Sequence, residues 1–193
     1  MAGRPKLFDE RVALKKAATL FWEKGYEATS TEDLIRSMGL QRGSFYNSFN
    51  SKKKLFLNAI DFYEGNSLNE FKKILKESRV PMQVIRTIFL ALADCPINEH
   101  KKGCFAGNTI AELSGIDEDL VENARNHLKA LEEIFFEQIK TSQATGEIKT
   151  KVDAKLLGRY LLNLWNGINI TRRVYPNKKL LYSLIEFQLE IIK

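Results

Sequence analysis

The stretch Thr29–Phe49, TSTEDLIRSMGLQRGSFYNSF, constrains this chain more than any other part of it. Two short helical patterns meet at Met38-Gly39-Leu40. The first carries its own start signal: Thr29 with Glu32, and Ser30 with Asp33, both have the hydroxyl-x-x-acid spacing of a capping box. Leu34, Ile35 and Met38 then recur at one-turn spacing, which gives a helix with one apolar face. Gly39 stands where the chain must leave that helix, a position that favours a left-handed conformation, and Leu40 can plug the angle that follows. The second pattern begins near Gln41, with Arg42, Ser44 and Asn47 on one side and Phe45 and Phe49 on the other. Two short helices joined at a glycine-containing turn form a helix-turn-helix, whose second helix enters the major groove of DNA.

The flanks make the pattern specific. Upstream, Leu14, Ala17, Ala18 and Phe21 follow helical spacing, and Gly25 closes that helix. Downstream, Ser51 can cap a long helix opening Lys52-Lys53-Lys54-Leu55-Phe56. Together, FWEKGYEATSTEDLIRSMGLQRGSFYNSFNSKKKLF resembles the N-terminal domain of the tetracycline-repressor (TetR) family of bacterial transcription regulators. Leu20-Phe21, Gly25-Tyr26, Thr29-Ser30, the Gly39 turn, Gly43-Ser44, Tyr46, Phe49 and Ser51-Lys52 carry the resemblance, which spans residues 8–60. The chain departs from the family pattern at Asn47, Ser48 and Asn50, changes that bear on which DNA sequence is read and leave the fold pattern intact.

Charge follows the same division. Residues 1–60 hold 11 Lys/Arg and 6 Asp/Glu, against 19 and 18 in residues 61–193, so nearly all of the net +6 sits on the DNA-reading third. A solvated basic face would show the same excess, but its coincidence with the helix-turn-helix favours a surface that meets phosphates. The hydrophobic fraction of 44% is ample for a core. No apolar run reaches bilayer length and MAGRPKLFDE lacks a secretory apolar core, so a cytoplasmic protein with no membrane association is expected.

Along the rest of the chain, Gly3-Arg4-Pro5-Lys6 is a short basic arm, either a plain terminus or a segment that reaches the DNA. The spacing predicts helices over Asp9–Lys24, the two already described, Ser51–Lys76, Met82–Asp94, one from Cys104 to Ser114, another from Asp117 to Thr141, then Asp153–Val174 and Asn177–Ile192. Pro96–Gly103 and Gln143–Lys151 read as loops. The fold class is therefore all-α with about nine helices. A helix-turn-helix domain at residues 1–55 is joined by a long helix to an effector-binding and dimerisation domain at 56–193. The last two helices are apolar on more than one face, as a deeply buried pair or as one face turned to a second copy. The resemblance implies the second, a homodimer through those two helices.

For the site, Arg42, Ser44 and Asn47 are the candidate base-edge readers, and Gln41 can also reach. Arginine pairs with guanine and asparagine with adenine, although either also suits a phosphate. Tyr46 can donate its hydroxyl to a phosphate or serve in packing, with Gly43 beside it in the matching run. Lys52, Thr29 and Thr31 are further phosphate candidates, Thr31 alternatively as a helix cap. Cys95, His100 and Cys104 lack a fourth ligand and regular spacing, so no metal is expected. No nucleophile elbow, phosphate loop or paired carboxylates are evident, so neither a cofactor nor an enzyme is expected.

Cys104 has two readings. It is a small buried hydrophobe, or a redox or effector-responsive thiol activated by Lys101, Lys102 and the following helix start. Gly103-Cys104-Phe105 with Asn108 resembles a segment seen in a branch of the family that includes electrophile- and oxidant-sensing members alongside many that are not sensors. The resemblance as a whole implies a repressor that binds a palindromic double-stranded operator as a homodimer. It would release the operator when a small apolar effector enters the second domain. The rival reading is a helical small-molecule-binding protein or enzyme that merely contains a helix-turn-helix-like pair.

Overall fold

Asp9 starts the first helix by accepting the backbone N–H groups of Arg11 and Val12, and Gly25 at φ +87° ends it. This is α1, Glu10–Lys24, in a computed structural model that describes residues 8–193. The arm Gly3-Arg4-Pro5-Lys6 lies outside the described residues. α2 is Thr31–Met38, and of the two capping-box candidates it is Ser30 with Asp33 that forms the reciprocal pair. Gly39 leaves α2 in the left-handed region, φ +71° and ψ +32°, and Leu40 N–H returns to the Ile35 carbonyl at 3.0 Å. α3 follows as Arg42–Phe49. Ser51 caps α4, Lys52–Glu77, which runs 26 residues out of the N-terminal layer.

The remaining helices are α5 (Pro81–Asp94), α6 (Ile97–His100), α7 (Phe105–Leu113), α8 (Glu118–Thr145), α9 (Ala154–Val174) and α10 (Lys178–Leu189), with a closing 3-10 turn at Glu190–Ile192. Among the described residues there is no strand, and no helix is long and apolar enough to cross a membrane. The chain is all-α as expected, with two local differences. The segment after Pro96 contains a four-residue helix rather than open loop. α8 also runs past Thr141 to Thr145, because Gly146 at φ +76° supplies its stop.

Two apolar cores hold these helices. One gathers Phe71, Ile85, Phe89, Phe135, Leu161 and Ile185 from α4, α5, α8, α9 and α10. The other joins Phe21, Leu34, Phe45 and Phe49 of the first three helices to Phe56 and Ile60 of α4, and continues into Phe105 and Leu113 of α7 and Leu120 of α8. The reading head's core therefore does not stop at residue 55. Phe56 is its hub, with ring centroids 4.9 Å from Phe21, 5.1 Å from Tyr26 and 5.7 Å from Phe105.

Candidate DNA-reading surface and the adjoining cavity

α3 is held by one face and free on the other. Phe45 and Phe49 are fully buried, whereas Gln41, Arg42, Gly43, Tyr46 and Asn47 are exposed and Ser44 is half-buried. Tyr46, 41% exposed, lies with its ring centroid 6.0 Å from the Arg42 guanidinium. Arg42 also comes within 3.9 Å of Glu32, but both side chains are largely solvated, so the pair adds little and leaves the arginine free to turn outward. A Cβ added at Gly43 would meet nothing within 4 Å, so no contact inside the chain requires glycine there. Thr31 is half-buried at the first position of α2, and the cap of that helix is Ser30 rather than Thr31.

Two phosphate candidates are turned inward. Thr29 is fully buried and its hydroxyl donates to the Gly25 carbonyl at 2.6 Å, which closes the turn. Lys52 donates to the carbonyls of Tyr26 at 3.0 Å and Thr29 at 3.1 Å and lies 4.2 Å from the Tyr26 ring centroid. An ammonium has three N–H donors, so Lys52 keeps one for an outside partner and pins the α1–α2 turn with the rest. Lys53 is drawn away as well, to Asp117 at 2.9 Å and Asp119 at 2.7 Å, and these hydrogen bonds raise its pKa. Of the three lysines opening α4, only Lys54 is exposed without an ion pair among the described residues.

A second grip on the same turn comes from far along the chain. Glu112, near the end of α7, accepts the backbone N–H of Tyr26 at 3.1 Å and of Glu27 at 2.8 Å. A Cβ at Gly25 would stand 2.8 Å from that carboxylate, so the glycine is needed both for its positive φ and for this approach. Sequence spacing had no means of finding Glu112 or Asp117, because 86 residues separate Glu112 from Tyr26.

Behind the reading head lies a cavity of about 740 Å³ bounded by α1, α4, α5, α7, α8 and α9. Its wall includes Tyr63, Phe105, Phe135 and Trp165, with Glu64, Cys104 and Arg172 as polar groups. Of the two readings of the cysteine, the surroundings of Cys104 fit the buried one. Lys101 is exposed, and Lys102 bonds Glu99 at 2.9 Å and pairs with Glu23 at 3.4 Å instead of facing the thiol. Cys104 does cap α7, its sulfur accepting the Gly107 N–H at 3.4 Å. Burial outweighs that contact: desolvation, reinforced by the Glu64 carboxylate, pushes the thiol up to about 11. Cys95, with no cationic neighbour in sequence, has one in space, the Arg172 guanidinium at 3.6 Å from its sulfur.

An alkylation series on a Cys95→Ser variant is expected to show Cys104 reacting slowly at neutral pH, with a rate still climbing near about pH 10. An inflection near the ordinary thiol value of about 8.5 would restore the activated-thiol reading. The same shift makes the thiol a stabilising group below its unfolded value, near 9.0, whose contribution is lost as pH rises toward about 11.

α9 and α10 also leave apolar side chains uncovered: Leu156, Ile170 and Val174 on α9, Leu180 and Phe187 on α10, and Ile191 after it. Phe187 is 77% exposed.

A free reading helix on a buried aromatic base, in an all-α frame, has the form of a helix-turn-helix DNA-binding domain. Residues 13–59 match the family described as bacterial regulatory proteins, tetR family, and residues 81–186 match the tetracyclin repressor-like C-terminal domain. The chain belongs to the TetR family. It is 31% identical over 173 residues to the HTH-type transcriptional repressor ComR of Escherichia coli K12, covering 89% of this chain and 82% of ComR. It is 29% identical to the uncharacterized HTH-type transcriptional regulator YezE of Bacillus subtilis, over 98% and 99% of the two chains. In fold it is similar to the TetR family regulator CifR, a cysteine mutant complexed with 26-bp double-strand operator DNA. That likeness has a TM-score of 0.85 at 22% identity, over 99% of this chain and 100% of that one.

Proposed function

We propose that this regulator is a ligand-responsive repressor. It binds a palindromic operator as a homodimer through α9 and α10, and releases it when an effector occupies the cavity. Gln41, Arg42, Ser44 and Asn47 read the groove, with Tyr46, Thr31 and the remaining donor of Lys52 on phosphates. Gly43 fits a place where DNA backbone comes close, since nothing inside the chain asks for it. The name ComR carries the word repressor, which supports the direction of regulation.

The observation that carries the ligand response is the position of α7. Its first residue, Phe105, lines the cavity and packs against Phe56 of the reading head, and near its other end Glu112 holds the α1–α2 turn. An effector that displaces α7 therefore moves the turn, and with it the reading helix, together with any tilt of α4. It does so only by the amount that it binds the released state more tightly. Cys104 lies at the start of the same helix, so covalent change there would be felt, although its raised pKa makes it slow to modify.

The test is a gel-shift series on palindromic DNA from beside the gene, over a range of salt. Several phosphate contacts per dimer make log K fall linearly with log salt. Arg42→Ala is expected to cost about 1–3 kcal/mol on the operator and little on random DNA. Salt-indifferent binding, or equal losses on both DNAs, would sink the reading.

A further inference from the structure

The cavity wall contains a charge that the protein itself does not answer. Arg172 is 4% exposed, and among the described residues it makes no ion pair. Its guanidinium has two partners, the Gly103 carbonyl at 3.3 Å and the Cys95 sulfur at 3.6 Å, and its Nε has none. Both contacts are long and neither is charged. Burying a guanidinium without a counter-charge is costly, and its planar fork is shaped for two oxygens of one anion. Beside it Arg173 also lacks a carboxylate, donating to the Lys102 carbonyl at 2.7 Å and to Asn108 Oδ1 at 2.6 Å, so two adjacent cations lie along the same segment. Asn169, one turn back on α9 and also in the cavity wall, has a buried Oδ1 without a partner.

We propose that the effector of this cavity is an organic anion with an aromatic or broad apolar body, its carboxylate or sulfonate head seated on Arg172. The body lies against the rings of Tyr63, Phe105, Phe135 and Trp165. A volume of about 740 Å³ accommodates a two- or three-ring molecule. Three carboxylates share the wall and do not cancel the preference: Glu99 is paired with Lys102 at 2.9 Å, Glu70 is exposed to water, and Glu64 has its pKa raised by desolvation, with its Oε1 accepting the Ala106 N–H at 3.2 Å. The inference rests on reading this cavity as the effector site. It adds which charge the occupant carries.

Two probes with the same body separate head from body: 8-anilinonaphthalene-1-sulfonate and the uncharged N-phenyl-1-naphthylamine. Both are titrated by fluorescence into the full-length protein. The sulfonate is expected to bind at least about tenfold more tightly than the neutral probe. Arg172→Met should bring the two affinities together while leaving the neutral probe's binding in place, and Arg172→Lys should restore part of the difference. Equal binding of both probes to the wild type overturns the proposal, and that comparison stands even if a variant fails to fold. A Met variant that keeps the preference for the sulfonate overturns it as well. If neither probe binds, the cavity is not an effector site and both readings fall; if only the neutral probe binds, the cavity stands and the anion does not.

Discussion

Phe187→Glu is expected to leave a folded monomer that has lost operator binding by on the order of a hundredfold or more. The side chain is 77% exposed on α10, so a single chain tolerates the carboxylate without loss of its own core. In a two-fold dimer the same patch faces itself, and each substitution enters the interface twice. Two carboxylates without partners would then have to be desolvated among Leu180, Ile170, Val174 and their copies, at several kcal/mol each. The monomer keeps one reading helix and one half-site, and with them only a fraction of the base contacts. Light scattering and a gel shift on the same samples measure both consequences, with circular dichroism reporting the fold. A variant that stays dimeric and grips the operator as wild type does would place the interface elsewhere.

Phe56→Ala is expected to cost about 3–5 kcal/mol of stability, the range for deleting a well-packed buried ring. Whole domains have about 5–15 kcal/mol in total, so this one change removes a large share. The ring is in contact range of Phe21 and Tyr26 on the head and of Phe105 on α7. Its loss should therefore do more than lower the midpoint of urea unfolding. Reading head and effector domain would no longer share a packed hub, and the variant should unfold in two steps where the wild type unfolds in one. A loss below about 1 kcal/mol, or a single sharp transition in the variant, would mean that the two parts are joined chiefly by polar contacts such as Glu112 to the Tyr26 and Glu27 amides.

Much of the architecture was legible because its causes are local. The caps Ser30 and Ser51, the left-handed Gly39 and the proline opening α5 act within a turn or two of where they stand. Periodicity over a few residues was enough to separate Phe45 and Phe49 from Arg42 and Asn47 on α3. The double-sided apolarity of the last two helices was also visible, and Phe187 and Ile170 prove to be exposed as a second face requires.

Side-chain surroundings were not legible where the deciding partner lay far off in sequence. Lys52 and Thr29 looked like phosphate ligands by their place in the motif, but the α1–α2 turn brings the Tyr26 and Gly25 carbonyls within reach of them. For Cys104 the two adjacent lysines left an activated thiol open beside the buried reading. Packing instead set it among Trp165, Glu64 and the cavity wall, and sent Lys102 to Glu23 and Glu99.

The sequence by itself determined every helix but the short α6, their order and the reading motif, because hydrogen-bond capping and apolar spacing are short-range and recur at fixed intervals; the family followed from the resemblance of residues 8–60. Only the tertiary structure decided which charges are answered inside the chain and which, like Arg172, are not. A charge's surroundings depend on residues tens of positions away, and burial decides whether water or a neighbour must satisfy it.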